Sequence, residues 1–213
     1  MKRYITACIV LVLASAFGLA STASALVGEA KKPPKNTKAE LSLINNNVPP
    51  ATSPTCKGKT ADEKKYLLKV FPSQKAKIKA IVAAVECFPT TQGSPDEVDY
   101  VRMGSLNDLL GLYQANLTFY NLPGGPGPSA NAEGGGTAGP TASTCPFESS
   151  YGPTNLPPTG RVLCHPSSSS SGGDLVWTNE PLKIYSEAFL KTDPNGSLLR
   201  GFFSSVDSGP EGG

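Results

Sequence analysis

Gly160-Arg-Val-Leu-Cys-His165, Asp174-Leu-Val-Trp-Thr178 and Leu182-Lys-Ile-Tyr-Ser-Glu-Ala-Phe-Leu190 are three short runs of mostly apolar, β-branched and aromatic residues parted by Ser, Gly and Pro. Side chains of these kinds suit a pleated, half-buried surface, so the runs read as consecutive strands, the second centred on Trp177 and the third carrying Ile184, Tyr185 and Phe189. Asp193-Pro-Asn-Gly196 is a turn, and Ser197 to Phe203 reads as a short helix that turns Leu198, Leu199, Phe202 and Phe203 inward.

Working back toward the N-terminus, Glu97 to Met103 alternates, with Val98 and Tyr100 on one side and Asp99 on the other, which marks another strand. Ser105 is placed to cap a helix with Asp108 at its third position, and Leu106, Leu109, Leu110 and Tyr113 follow at helical spacing to about Leu117. Thr60-Ala-Asp-Glu63 has the form of a capping box before Tyr66, Leu67, Val70 and Phe71, and Pro72 stops that helix. Lys75 to Phe88 stays open: Ile78, Ile81, Val82 and Val85 fit a helical stripe, while the apolar run 80–85 fits a buried strand. Strands joined by short turns, with helices between them, give an α+β fold. Its expected form is a small antiparallel sheet with helices packed on one face, interrupted by a long Gly/Pro-rich loop at 121–144.

The N-terminus sets the compartment. Met-Lys-Arg3, an apolar run from Ile5 to about Ala20 and the small-residue site Ala23-Ser24-Ala25 are the three parts of a secretory signal peptide, cleaved after Ala25. The run is short for a membrane span, and no later segment is long and apolar enough for one. The expected organisation is a signal peptide at 1–25, a Lys/Pro/Asn-rich disordered leader at 26–55, one α+β domain at 56–203 and a disordered tail at 204–213. Four cysteines remain after the signal, Cys56, Cys87, Cys145 and Cys164, an even number in an oxidising compartment. Three pairings are open to them. Cys56–Cys87 and Cys145–Cys164 are favoured because each lies within one folded stretch and closes a short loop.

Beyond the signal the chain holds 17 basic and 17 acidic residues, unevenly spread. Residues 26–79 carry 12 basic and 4 acidic residues (12 − 4 = +8), and residues 80–213 carry 5 and 13 (5 − 13 = −8). The Lys-rich leader is therefore suited to contact anionic envelope polymers, while the neutral total and the location disfavour nucleic acid.

Leu67-Leu-Lys-Val-Phe-Pro72, Val85-Glu-Cys87, Gly160-Arg-Val-Leu-Cys164, Asp174-Leu-Val-Trp-Thr-Asn179 and Leu198-Leu-Arg-Gly-Phe-Phe203 together resemble a domain of actinobacterial extracytoplasmic proteins. It is found as small secreted proteins and as the outer part of some membrane serine/threonine kinases. The likeness covers about residues 60–203. It departs in carrying Cys56 upstream of the Leu-Pro helix end, where the family has its first cysteine after it, and in carrying His165 where the family often has Tyr. The resemblance implies a strand from about Ile81, an extracytoplasmic location and no particular reaction.

Catalytic constellations are sparse. A Ser nucleophile needs a base, His165 is the single histidine, and no G-x-S-x-G is present. A zinc site is disfavoured by the lack of C-x-x-C. Gly124-Gly-Pro-Gly127 and Gly134-Gly-Gly136 lack the Lys of a phosphate loop. Asn116-Leu-Thr118 and Asn195-Gly-Ser197 match a glycosylation sequon, which has meaning only in a eukaryotic secretory pathway. No cofactor is called for. The expectation is a secreted, non-enzymatic domain that binds an extracellular ligand or envelope component, with Trp177, Tyr185 and Phe189 lining its pocket. The alternative is an envelope-glycan hydrolase using the acids at Asp96, Glu97 and Asp99, or at Asp174 and Glu180.

Overall fold

A computed structural model describes residues 36–50, 52, 55–122, 145–151, 159–166 and 172–207. The signal-peptide reading, most of the 121–144 loop and the end of the tail lie outside them. In chain order the described elements are α1 (Lys38–Asn47), β1 (Lys57–Gly58), α2 (Thr60–Val70), a 3-10 turn (Pro72–Gln74), α3 (Lys75–Lys79), β2 (Ile81–Cys87), β3 (Glu97–Met103), α4 (Leu106–Phe119), β4 (Phe147–Tyr151), β5 (Gly160–Pro166), β6 (Gly173–Asn179), β7 (Ile184–Leu190) and α5 (Ser197–Asp207).

The strands form one seven-stranded antiparallel sheet in the order β1-β2-β3-β7-β6-β5-β4. The α+β class, the antiparallel sheet and a strand from Ile81 agree with the sequence reading. β4 and the two-residue β1 are additions. β4 is Phe-Glu-Ser-Ser-Tyr, whose polar residues hide it; its pairing with β5, Phe147 opposite Cys164 and Tyr151 opposite Gly160, makes it a strand.

Alternation sends side chains to both faces. Val98, Tyr100, Val162, Cys164, Leu175, Trp177 and Ala188 pack on one face beneath α1 (Leu43, Ile44) and α5 (Leu199, Phe202, Phe203). Ala84, Val101, Met103, Leu163, Val176 and Tyr185 pack on the other, beneath α2 (Leu67), α3 (Ile78) and α4 (Leu109, Leu112, Tyr113, Leu117). The expected helical layer is thus α2 to α4, and the opposite face is covered as well. Within the helices the buried stripes sit slightly off the expected phase: Leu106 is 42% and Leu198 48% exposed, and Leu112 and Leu117 take the inward positions on α4.

The leader expected to be disordered at 26–55 is corrected at 38–47, which form α1. Its start is a capping box missed in the sequence: Glu40 N–H donates to Thr37 Oγ1 at 3.2 Å and Thr37 N–H donates to Glu40 Oε2 at 2.7 Å. The tail is likewise helical through Asp207.

The expected box at Thr60 and Glu63 is corrected too. Lys59 occupies the cap position without a side-chain cap, and Glu40 serves instead. Its Oε1 accepts from Thr60 N–H at 3.0 Å and Thr60 Oγ1 at 2.6 Å, and Thr60 Oγ1 in turn accepts from Ala84 N–H of β2. One buried carboxylate therefore caps α1 and α2 and ties both to the sheet. Burial opposes its charge, but the hydrogen bonds from Thr60 and Thr37 outweigh that and hold its carboxyl below the ordinary range. Gly58 is glycine for the same reason, since a Cβ there would collide with the Glu40 carboxylate.

Both expected disulfides are present, Cys56–Cys87 and Cys145–Cys164. They fit an extracellular protein. The second lies against the turn before α5. Gly196 has φ +69° and its missing side chain leaves room for the Cys145 and Cys164 sulfurs, while Asp193 accepts from Ser197 N–H and Leu199 N–H. Among the described residues no helix is long and apolar enough to cross a membrane.

Replacing Glu40 by Ala removes the caps of two helices and strands the Thr37 and Thr60 donors. A loss of about 2–4 kcal/mol is expected by urea unfolding, with both disulfides still formed.

Candidate functional site: a charged band beneath α2

Apolar side chains line the middle of the α2–α4 face of the sheet, and one end of it carries a row of acids. There the ladder places Glu86 of β2 opposite Asp99 of β3, and Asp99 opposite Glu187 of β7. Three acids in a row across three neighbouring strands repel one another, so the arrangement stands only if charge is supplied or removed. The same face carries Glu97 two residues along β3, followed across the sheet by Phe189, Asp174 and His165 in register. α2 adds Glu63 from above, 2% exposed.

Lys59, just before α2, supplies a positive charge. Its Nζ lies 2.5 Å from Glu86 Oε1, 3.6 Å from Glu97 Oε1, 3.6 Å from Asp99 Oδ1 and 4.0 Å from Glu63 Oε2. Burial works against the Lys59 charge, but Asp99 and Glu86 more than offset it, so the ammonium is held well above its ordinary range. One cation cannot balance all these acids, and protons complete the balance. Burial, helped by Asp99, pushes Glu63 up to about 8; burial, opposed by Lys59, pushes Asp99 up to about 7. Glu86 goes the other way: burial is outweighed by the hydrogen bond and charge of Lys59, which hold its carboxyl low. The band thus has an outer rim of Glu86 and Glu97, each with a partly exposed side chain, over buried Glu63 and Asp99, whose carboxyls are raised toward neutrality.

Glu86, Glu97 and Asp99 offer carboxylate oxygens within 4.8 Å of one another, a spacing a hard cation can use. Lys59 already stands among them and supplies the charge such a cation would bring. At the far side of the band His165 and Asp174 are buried together, Nδ1 to Oδ2 3.7 Å, with the Tyr120 ring stacked on the imidazole. An aromatic chain runs outward from there through Phe119 to Phe71.

The structure divides the residues singled out in the sequence. Trp177, Tyr185 and Phe189 do not line one pocket. Trp177 faces α1 and α5, packed edge-on to Tyr100 and Phe203, and Tyr185 lies in the opposite core with its hydroxyl donating to Glu187. Phe189 falls on the Tyr185 side. Strand alternation alone forbids the grouping, because Tyr185 pairs with Thr178 and not with Trp177. Glu97 and Asp99 do come together. Asp96 turns away to accept from Lys191 N–H, and Glu180 pairs with Arg161, apart from Asp174. Lys59, Glu63, Glu86 and Glu187 were missed. A signal existed for Glu86 and Glu187: each is an acid inside an otherwise apolar strand, where a carboxylate has to be neutralised or exposed.

No protein-family model, no curated protein and no solved structure matches the chain.

The titration predicts a pH dependence. A carboxyl whose pKa is higher in the folded than in the unfolded chain contributes stability below the unfolded value, and that contribution is lost as pH rises toward the folded value. For Glu63 and Asp99 the window runs from about pH 4 to the values of about 8 and about 7. Urea unfolding at about pH 5 and pH 8 should show a fall on the order of 2 kcal/mol. Asp99→Asn should shrink that fall and be more stable than the parent at the higher pH. An identical fall in the variant would rule out Asp99 as a titrating group.

Proposed function

We propose that this chain is an exported binding protein that works at or outside the cell envelope and receives its ligand at the charged band. The reading of residues 1–25 as a signal peptide cleaved after Ala25 supports that location, as does the resemblance of residues 60–203 to actinobacterial extracytoplasmic domains. The observation that carries the binding reading is the pairing of a partly exposed carboxyl rim, Glu86 and Glu97, gathered around the Lys59 ammonium, with a buried floor of Asp99 and Glu63 whose carboxyls are raised toward neutrality. Such a rim accepts hydrogen bonds from the hydroxyl or amine groups of a ligand, and the protonated floor can donate one. Holding the rim around Lys59 before the ligand arrives reduces the ordering cost of binding.

A second reading has one observation in its favour. A carboxyl raised to about 7 beside one held low is the division of labour that a general acid and its partner need, so Asp99 with Glu86 could hydrolyse an envelope glycan.

Titration calorimetry of the purified protein against solubilised envelope glycans separates the two. Binding is expected to weaken tenfold or more in Glu86→Gln/Glu97→Gln, with the melting temperature little changed and no new reducing ends released. Release of reducing ends by the parent that Asp99→Asn abolishes would replace the binding reading with the hydrolytic one.

A further inference from the structure

The basic excess of the N-terminal half is not confined to the leader. Lys64, Lys65, Lys69, Lys75, Lys77 and Lys79 fall within 16 residues that contain no acidic residue, on α2, the 3-10 turn and α3. Two of the six serve the fold. Lys64 Nζ donates to the Lys79 carbonyl at 3.2 Å, and Lys77 lies over Gly111 of α4, where a Cβ would meet its side chain. The other four, Lys65, Lys69, Lys75 and Lys79, are exposed, and among the described residues none of them makes an ion pair. The nearest acids on α2 are Asp62, which is exposed, and Glu63, which is turned into the band beneath.

Their spacing works against the isolated fold. Lys65 and Lys69 are four apart on α2, and Lys75 and Lys79 four apart on α3, so each pair sits about 5–6 Å apart on one helix face and repels. α2 packs on α3, so the two pairs stand on neighbouring helices. A partner that brings regularly spaced negative charge relieves the repulsion in both pairs at once.

We infer that the outer surface of α2 and α3 is a docking site for a linear polyanion, a polymer bearing repeated phosphate or carboxylate groups. A soluble polymer fits better than a lipid surface. Anchoring on a membrane interface calls for exposed apolar side chains among the cations, and among the described residues no large exposed apolar side chain lies on α2 or α3. Attraction to the polymer is electrostatic, so it does not require the carboxylate rim. It places the anionic contact expected of the leader on a folded surface.

The test uses protein recovered from cells expressing the full chain, titrated with long-chain polyphosphate, with polygalacturonate and with vesicles containing an anionic phospholipid. Four released counterions imply an affinity for polymer that falls roughly 50- to 150-fold between 50 and 200 mM salt. Lys65→Gln/Lys69→Gln/Lys75→Gln/Lys79→Gln should abolish most of that salt dependence. Gln matches Lys closely in helix propensity, so the melting temperature should hold. A control, Lys38→Gln/Lys57→Gln, should bind as the parent does. The stronger of the two polymer arms identifies phosphate or carboxylate as the preferred group. Equal binding by the quadruple variant, or binding to vesicles and to neither polymer, overturns the proposal. Neither result would bear on the Glu86 and Glu97 rim.

Discussion

The ladder between β3 and β7 is the constraint on which the rest of the molecule depends. β1, β2 and β3 form one half of the sheet and β4 to β7 the other, and this is the single strand pairing between them. It also brings Asp99 opposite Glu187, with Glu86 on the next strand. An apolar pair at that rung would close the seam without electrostatic cost. The sequence instead places acids there, and Lys59 with the protons on Glu63 and Asp99 makes the pairing tolerable. Glu97 and Asp99 therefore belong both to the joint between the halves and to the charged band.

Glu40 organises the neighbouring corner. Hydrogen bonds to a carboxylate are stronger than those between neutral groups, and this one accepts from Thr37, Thr60 N–H and Thr60 Oγ1 together. The Lys59–Thr60 junction is held by that node, and the position of the Lys59 ammonium among the acids follows from it. A residue in what reads as a polar leader thus positions the cation of the band.

What was legible in the chain was local. Strand alternation in Glu97–Met103, the Ser105 cap with Asp108, the Asp193–Gly196 turn and the two cysteine pairings are each set by residues close in sequence, and the structure agrees with them. The misplaced capping box shows the limit. Thr60 and Glu63 have the right spacing, but Glu40, twenty residues upstream, takes the Thr60 N–H and hydroxyl, while the Glu63 N–H donates to the Lys59 carbonyl and the Glu63 side chain turns into the band. α1 was hidden by its polar composition; it is held by burying Leu43 and Ile44 against the face of the sheet that α5 also covers. Trp177 and Tyr185 were grouped because they are large and near in sequence, although register sends them to opposite sides of the sheet. The band itself was only half visible, since its members come from α2, β2, β3 and β7, and only the ladder brings them together.

The chain order of the sheet has a kinetic consequence. β2 pairs with β3 across a short connection, as do β5, β6 and β7 in succession, whereas the hydrogen bond from Lys191 N–H to Asp96 at the edge of the seam spans 95 residues. Contacts of such separation carry the largest loop-closure entropy and form late. Each disulfide joins cysteines of one half alone. Oxidation of either pair therefore constrains one half of the sheet alone and can precede the meeting of the halves.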